Sequence, residues 1–331
     1  MKKKFYLVLD TETATLPFAN DLAKNEKQKQ KIAIAKPLVY DIGWTIVDRK
    51  GEMYKKANYL VQETFFVPNV FNTAYYKEKR PIYMDLLEKG EISAMNWNGI
   101  IKELISDLEN CDLVSAYNAC FDFKKAIPFT ERYIYHLYNA DYNEWENSQY
   151  YKCVKIINGG DDSNNPEYLE PFFKLRGVKY PMVDLWGLAC EKLINNNRYK
   201  DYCLENGLLT ASALYFKTSA ETSFQYLMRQ HDFIEDHTAL SDAEIEAQIL
   251  VKALKKGKVE AGVGAFPFKE LGTTYEYALQ KKKKYVGVIR EALEVYMEHL
   301  DDTTRYYQRM QGILDRLCIA ENLSNKVDWR R

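Results

Sequence analysis

No stretch of the chain approaches the roughly 18 consecutive apolar residues that a membrane span needs. Cysteine is sparse as well, with six in 331 residues at positions 111, 120, 153, 190, 203 and 318. No two of them form a C-x-x-C pair and they build no dense framework, which argues against both a zinc site and a disulfide scaffold. A reducing, cytoplasmic setting fits these absences. The start, MKKKFYLVLDTE, joins basic residues to an apolar run but reaches acids too soon for a signal peptide. No internal repeat is found. What is present is an ordinary globular composition, 47% hydrophobic and 28% charged, in a chain long enough for one large domain or two of usual size. The net charge of -1 conceals an asymmetry. Lys and Arg outnumber Asp and Glu 16 to 11 in residues 251–331 and are outnumbered 30 to 36 before them. The acidic part would repel nucleic acid unless metal ions intervene, whereas the tail could attract it.

Apolar and β-branched runs predict a first strand over residues 5–10 (FYLVLD), a second within 37–51 (PLVYDIGWTIVDRKG) and a third over 52–62, together a three-stranded meander. Between the first two strands, residues 20–36 read as a polar, exposed, helical insertion. Helical periodicity follows over 97–110, then a short strand over 113–116 leading into a helix near 123–129. Residues 131–180, with GGDDSNNP near their centre, read as a long and partly irregular insertion. Two further helices are expected over 183–195 and 218–229, and a helical segment over 275–318 carries KKKK at 281–284. The order of elements describes an α/β layer with a mixed sheet.

The chemistry resides in three places. Strand one ends in Asp10-Thr11-Glu12, and because side chains alternate along a strand, the two carboxylates project to one face. Alone, the pair reads as two solvated acids at a strand end. Asp122 follows the strand at 113–116, where an aspartate most simply serves as a helix N-cap. His237 and Asp242 open an amphipathic helix whose apolar face is Ala243, Ala247, Leu250, Val251 and Leu254. Ser241 and Glu244 match a capping box there, which places Asp242 in the first turn. Taken together, these positions supply four carboxylates and one imidazole. Magnesium is held by a few carboxylates plus substrate phosphate, and two such ions can clamp the attacking and leaving oxygens of a displacement at phosphorus. An imidazole that titrates near neutrality could take the proton of an attacking water.

The segments VLDTET, SAYNACFDF and HTALSDAEIEAQIL resemble, in order and type, the three motifs of the DEDDh group of 3'-5' exonucleases, the proofreading epsilon-subunit-like (DnaQ-like) family with a ribonuclease H-like fold. The most specific part is the His-x-x-x-x-Asp spacing of the third. The resemblance spans residues 5–250, with about 35 residues matching closely. It implies that Asp10, Glu12, Asp122 and Asp242 hold two divalent ions, Mg²⁺ or Mn²⁺, and that His237 is the general base. It further implies release of nucleoside 5'-monophosphates from a 3' end of single-stranded nucleic acid, DNA favoured over RNA. The implied architecture is a ribonuclease H-like mixed sheet flanked by helices in residues 1–255, with insertions near 14–36 and 131–180, followed by a basic, mainly helical extension over 256–331.

Three further features bear on that expectation. Thr13-Ala14-Thr15 stands where the family often has two threonines and a glycine, and Tyr117 where it often has histidine, so the pocket for the terminal nucleotide is altered while every implied ligand is kept. Separations of 110 residues from Glu12 to Asp122 and 115 from Asp122 to His237 place insertions around the site. YPMVDLWGLA resembles the strand-to-helix junction before the third motif, with Asp184 as a helix N-cap or a support to the ligands. The basic tail, with Tyr275, Tyr277, Tyr285, Tyr306 and Tyr307, either tracks a phosphate backbone or is a solvated helix with tyrosines at its packed edge. His136, His231 and His299 read as ordinary surface residues. The alternative function is a nucleic-acid-binding or polymerase-associated partner protein on the same scaffold, the polymerase or another replication or repair protein being met through the tail.

Overall fold

β1 (Phe5–Ala14) opens with an apolar run whose residues 6–9 are all buried, as expected of a strand covered on both faces. A computed structural model describes residues 3–159, 170–257, 259, 266–302 and 304–328, with 323–328 described by backbone alone. Among these, β1 is joined by β2 (Leu38–Asp48), β3 (Met53–Val61), β4 (Ser93–Met95), β5 (Leu113–Ala116), β6 (Phe172–Leu175) and β7 (Val178–Asp184). The seven strands form one sheet in the order β4-β3-β2-β1-β5-β7-β6. The meander β1-β2-β3 is antiparallel, as the sequence predicts, and β5 and then β7 extend it in parallel. The short edge strands β4 and β6 were not foreseen. The fold is therefore α/β, with a mixed sheet flanked by helices.

By its internal contacts the chain forms two units, Met1–Leu188 with Phe233–Ala265, and Ala189–Asp232 with Phe266–Arg331. The first holds the whole sheet. Its helix Trp97–Glu109 buries Ile100, Ile101, Leu104 and Leu108 and is capped by Asn96, whose Oδ1 accepts from the Gly99 N–H at 2.9 Å. The insertion after β1 is helical over Glu26–Ala35, as expected. Residues 131–157 are more regular than their composition suggested, since helix Ile127–Leu137 is followed by helix Tyr142–Ile157. Of GGDDSNNP, all but Gly159 lies outside the described residues. The helix predicted over 183–195 begins later, because β7 keeps its extended backbone through Val183 and Asp184 and only Leu185 turns into a helix.

The second unit is mainly helical, with helices Asn197–Glu205, Ala220–Met228, Thr274–Lys281, Val286–Met297 and Arg305–Asp328. Tyr275, Tyr277 and Tyr285 are buried, so these three rings of the tail are packed rather than offered to bases. Lys282 pairs with Asp201 at 3.1 Å and Lys284 with Glu205 at 3.4 Å, both within this unit. No helix of the described residues is long and apolar enough to cross a membrane.

The element that completes the candidate site is the helix Ala239–Lys256, which lies on the sheet against β1 and β2. Its first turn approaches β2 so closely that a Cβ added to Gly43 would stand 2.3 Å from the Leu240 backbone nitrogen. Gly43 is paired with Asp10 across the ladder, so this approach sets the helix beside the acids of β1. Replacing Gly43 by alanine should lower stability by about 1–3 kcal/mol, the usual cost of forcing extra volume into a packed site. Thermal unfolding of Gly43→Ala at neutral pH measures this, and an unchanged midpoint would contradict the close docking.

Candidate active site

Asp10 and Glu12 lie on the half-buried last part of β1, two residues apart, facing Gly43 and Asp41 of β2 in the ladder. The register slips between Glu12 and Thr13, a local irregularity that ends regular pairing just past the two acids. Between them, the Thr11 hydroxyl donates to Asp122 Oδ1 at 2.6 Å in a buried hydrogen bond that ties β1 to the second motif.

Asp122 is not an N-cap. The chain is already helical from Ala119, and Asp122 begins a wider π-type turn, Asp122–Ala126, that continues into helix Ile127–Leu137. Such turns add a residue to the helical circuit and are frequent at functional sites. The cap comes from Asp184. Its Oδ1 accepts from the Ala119 N–H and its Oδ2 from the Gly187 N–H, each at 3.1 Å. One buried carboxylate thus fixes the start of its own helix, as the sequence predicted, and also the start of the segment carrying Asp122.

The third motif is held from across the sheet. Helix Ala239–Lys256 starts two residues ahead of Ser241, with Thr238 at the N-cap position and no side-chain cap bond, and Glu244 pairs with Lys56 of β3, so the expected capping box is not formed. Its place is taken by Asp41, fully buried in the middle of β2. Asp41 Oδ2 accepts from the Ala239 N–H at 2.9 Å and from the Tyr83 hydroxyl at 3.0 Å. An anion at a helix N-terminus satisfies an orphan donor and the helix dipole together. Asp242 sits in the first turn as expected.

His237 precedes this helix in the left-handed backbone region, φ 48°, which few residues other than glycine adopt and which recurs where function holds the chain under strain. Its ring stacks on Tyr76 at 4.5 Å between centroids and 14° between planes. Its Nδ1 lies 3.6 Å from Glu235 Oε2 and 3.9 Å from Asp242 Oδ2. Candidate ligand atoms of Glu12, His237 and Asp242 all fall within 4.8 Å of one another, a cluster that can hold a metal ion.

Asp10 and Asp122 belong to the same electrostatic neighbourhood. Burial pushes the Asp10 carboxyl well above the ordinary range, and repulsion from Glu246, Asp122, Asp242 and Glu12 adds to it. Glu12 is raised in the same way by burial and then by Asp242 and Asp41. Asp122 is pushed up to about 7 by burial against the opposing bond from Thr11, and Asp242 to about 8 by burial and then Glu235. The Tyr76 phenol is raised too, by burial and then by Glu12, which sets it beside the acids. Among these acids Lys79 acts in the opposite sense, favouring the charged forms of Glu12 and Asp242. Asp242 Oδ1 is buried without a hydrogen-bond partner. Oxygen donors that repel one another and retain an unmatched buried oxygen fit a hard divalent cation.

Two carboxylates of this site escaped the sequence reading. Glu246, fully buried, accepts from the Tyr117 N–H at 3.1 Å and is the largest source of repulsion on Asp10. Its signal was the i,i+4 spacing from Asp242, two like charges on one helix face, which a helix does not favour without a further partner. Asp41 was signalled by an acid in the centre of an otherwise apolar strand, a position where a carboxylate needs a donor. No protein-family model, curated protein or solved structure matches this chain.

A carboxyl whose pKa rises on folding holds its proton more tightly in the folded chain. Between the ordinary aspartate value of 3.8 and the folded values of about 7 for Asp122 and about 8 for Asp242, the folded state binds more protons than the unfolded one, so stability falls as pH rises through that window. In the presence of a chelator the melting temperature should therefore drop between about pH 5 and about pH 8. Saturating Mg²⁺ or Mn²⁺ should recover part of the drop, since at a hundredfold excess over its Kd a ligand adds about 2.7 kcal/mol. A melting temperature at the higher pH that ignores both ions would rule out this metal site.

Proposed function

We propose that the chain is a metal-dependent 3'-5' exonuclease that hydrolyses phosphodiester bonds at the 3' end of single-stranded nucleic acid, DNA favoured over RNA, on a ribonuclease H-like scaffold. The observation that carries this reading is the convergence of Glu12, His237 and Asp242, which stand 225 residues or more apart from the first to the other two, into one group of ligand atoms within 4.8 Å. Asp10 and Asp122 share its electrostatic field. The antiparallel meander continued by parallel strands supports the scaffold.

Asp10, Glu12, Asp122 and Asp242 would hold two divalent ions, Mg²⁺ or Mn²⁺. When bound, such ions stabilise the charge on the attacking and leaving oxygens of a displacement at phosphorus. His237 takes a proton from the attacking water. The water oxygen bonds to the terminal phosphorus, the bond from phosphorus to the 3'-oxygen of the preceding nucleotide breaks, and that oxygen is protonated as a new 3'-hydroxyl. The product is a nucleoside 5'-monophosphate. The closeness of His237 to Glu12 and Asp242 would also permit ligation. The oxygen-rich set favours the role of base, because Mg²⁺ and Mn²⁺ prefer carboxylate and water oxygens while imidazole suits softer metals.

Two variants test the assignment on 5'-labelled single-stranded DNA and RNA of one sequence. Asp10→Ala should abolish the metal-dependent ladder that shortens from the 3' end while the chain still folds, and retained cleavage would sink the proposal. His237→Ala should slow hydrolysis by roughly 10²- to 10⁴-fold, the usual share of a general base, with stabilisation by Mg²⁺ preserved. Loss of that stabilisation would make His237 a ligand instead. Tight binding of either strand without metal and without turnover by the wild type would favour the binding protein.

A further inference from the structure

We infer that Tyr76 is a positioning residue for His237, acting through a stripe of three side chains that grips the chain on either side of the imidazole. This role rests on the hydrolytic reading above. Tyr76, Lys79 and Tyr83 are spaced i, i+3 and i+7 along YKEKRPIY, where a 3₁₀ turn, Lys77–Lys79, runs directly into helix Arg80–Lys89. Residues at that spacing share one side of a helical run. Each of the three meets the segment that carries the base. The Lys79 ammonium donates to the Asp236 carbonyl, one residue before His237. The Tyr76 ring lies parallel to the imidazole at 4.5 Å and 14°. The Tyr83 hydroxyl stands 3.5 Å from the His237 carbonyl and donates to Asp41, which in turn receives the Ala239 N–H.

The grip answers a specific need. His237 is half-buried and its backbone is held at φ 48°, a conformation that a free loop would leave. A side chain in that state stays in place only where its surroundings over-determine it. The residues after it are fixed by Asp41, but nothing in that bond orients the ring. Stacking does so, since a parallel aromatic neighbour removes rotation about the side-chain torsions while leaving both ring nitrogens at the edge. The Lys79 ammonium, 4.7 Å from the centroid of the Tyr76 ring, holds that ring in turn. Tyr76 touches the base without being shown to touch substrate, so it acts by placing His237 and not as a catalytic residue.

The test uses the full chain with 5'-labelled single-stranded DNA and Mg²⁺. Tyr76→Ala should lower kcat about 10- to 100-fold with little change in KM, the scale expected when a reacting group is misplaced by about an ångström. Tyr76→Phe keeps the ring and should remain near wild type. In a His237→Ala background, Tyr76→Ala should add no further loss, because the two residues act as one unit. A full additional loss in that background, or a rise in KM alone, would overturn the role. A second measurement does not depend on turnover. With only four histidines in the chain, the imidazole signals of selectively labelled protein can be assigned by His237→Ala, and the His237 signal should carry an upfield ring-current shift that Tyr76→Ala removes and Tyr76→Phe keeps. A shift present without any wild-type turnover would defeat the hydrolytic reading and this role together. Turnover with no shift would defeat the positioning role and leave the hydrolytic reading standing.

Discussion

The arrangement of the site depends on one buried hydrogen bond, from the Ala239 N–H at the start of the site helix to the Asp41 carboxylate in the middle of β2. A carboxylate in a strand buried along its whole length is costly unless donors reach it. A helix whose first N–H groups have no side-chain cap carries the complementary deficit. Each deficit is met by the other, and the match sets where the helix begins. Gly43, two residues along on the same face of the strand, removes the Cβ that would keep the helix away. Once the helix is seated there, Asp242 and Glu246 have no choice but to face the acids of β1.

That seating brings about an electrostatic conflict. Asp10, Glu12, Asp122, Asp242 and Glu246 are brought together with burial and mutual repulsion all acting in the same direction. Three supports around them are bonded. Thr11 bonds Asp122, Asp184 caps two helical starts, and Tyr117 offers its N–H to Glu246. With these supports bonded and the central acids opposed, the repulsion sits where a cation would relieve it. Buried acids that oppose one another are a pattern concentrated at functional sites.

Much of this was legible in the residues alone, and the losses have physical reasons. The meander, the strand before Asp122 and the amphipathic helix after His237 all follow from apolar periodicity, a signal local to each segment. The motif residues were legible because their types and order resemble a known set. What the chain did not disclose were tertiary replacements for local rules. Ser241 and Glu244 satisfy the capping-box pattern, yet Asp41 supplies the cap from 198 residues away and Glu244 turns to Lys56. Asp122 satisfies the N-cap pattern, yet Asp184 does that work. Glu246 was hidden by the apolar residues around it, and Tyr76, Lys79 and Tyr83 by a stretch with no motif of its own. In each case a partner remote in sequence outweighed a local preference, and a pattern read along the chain carries no information about such partners.

The remoteness of these partners also governs when the site can come into being. Asp10 and Glu12 stand at the start of the chain, Asp122 some 110 residues on, and His237 a further 115 beyond. Contacts that close such long loops form late in folding, after the local helices and the meander. The helix bearing Asp242 also has to be made last of the three segments during synthesis. Over the 120 residues from Asp122 to Asp242 the nascent chain therefore carries the first two sets of acids without the third. The cluster is complete only with that last helix seated, its Ala239 N–H on Asp41.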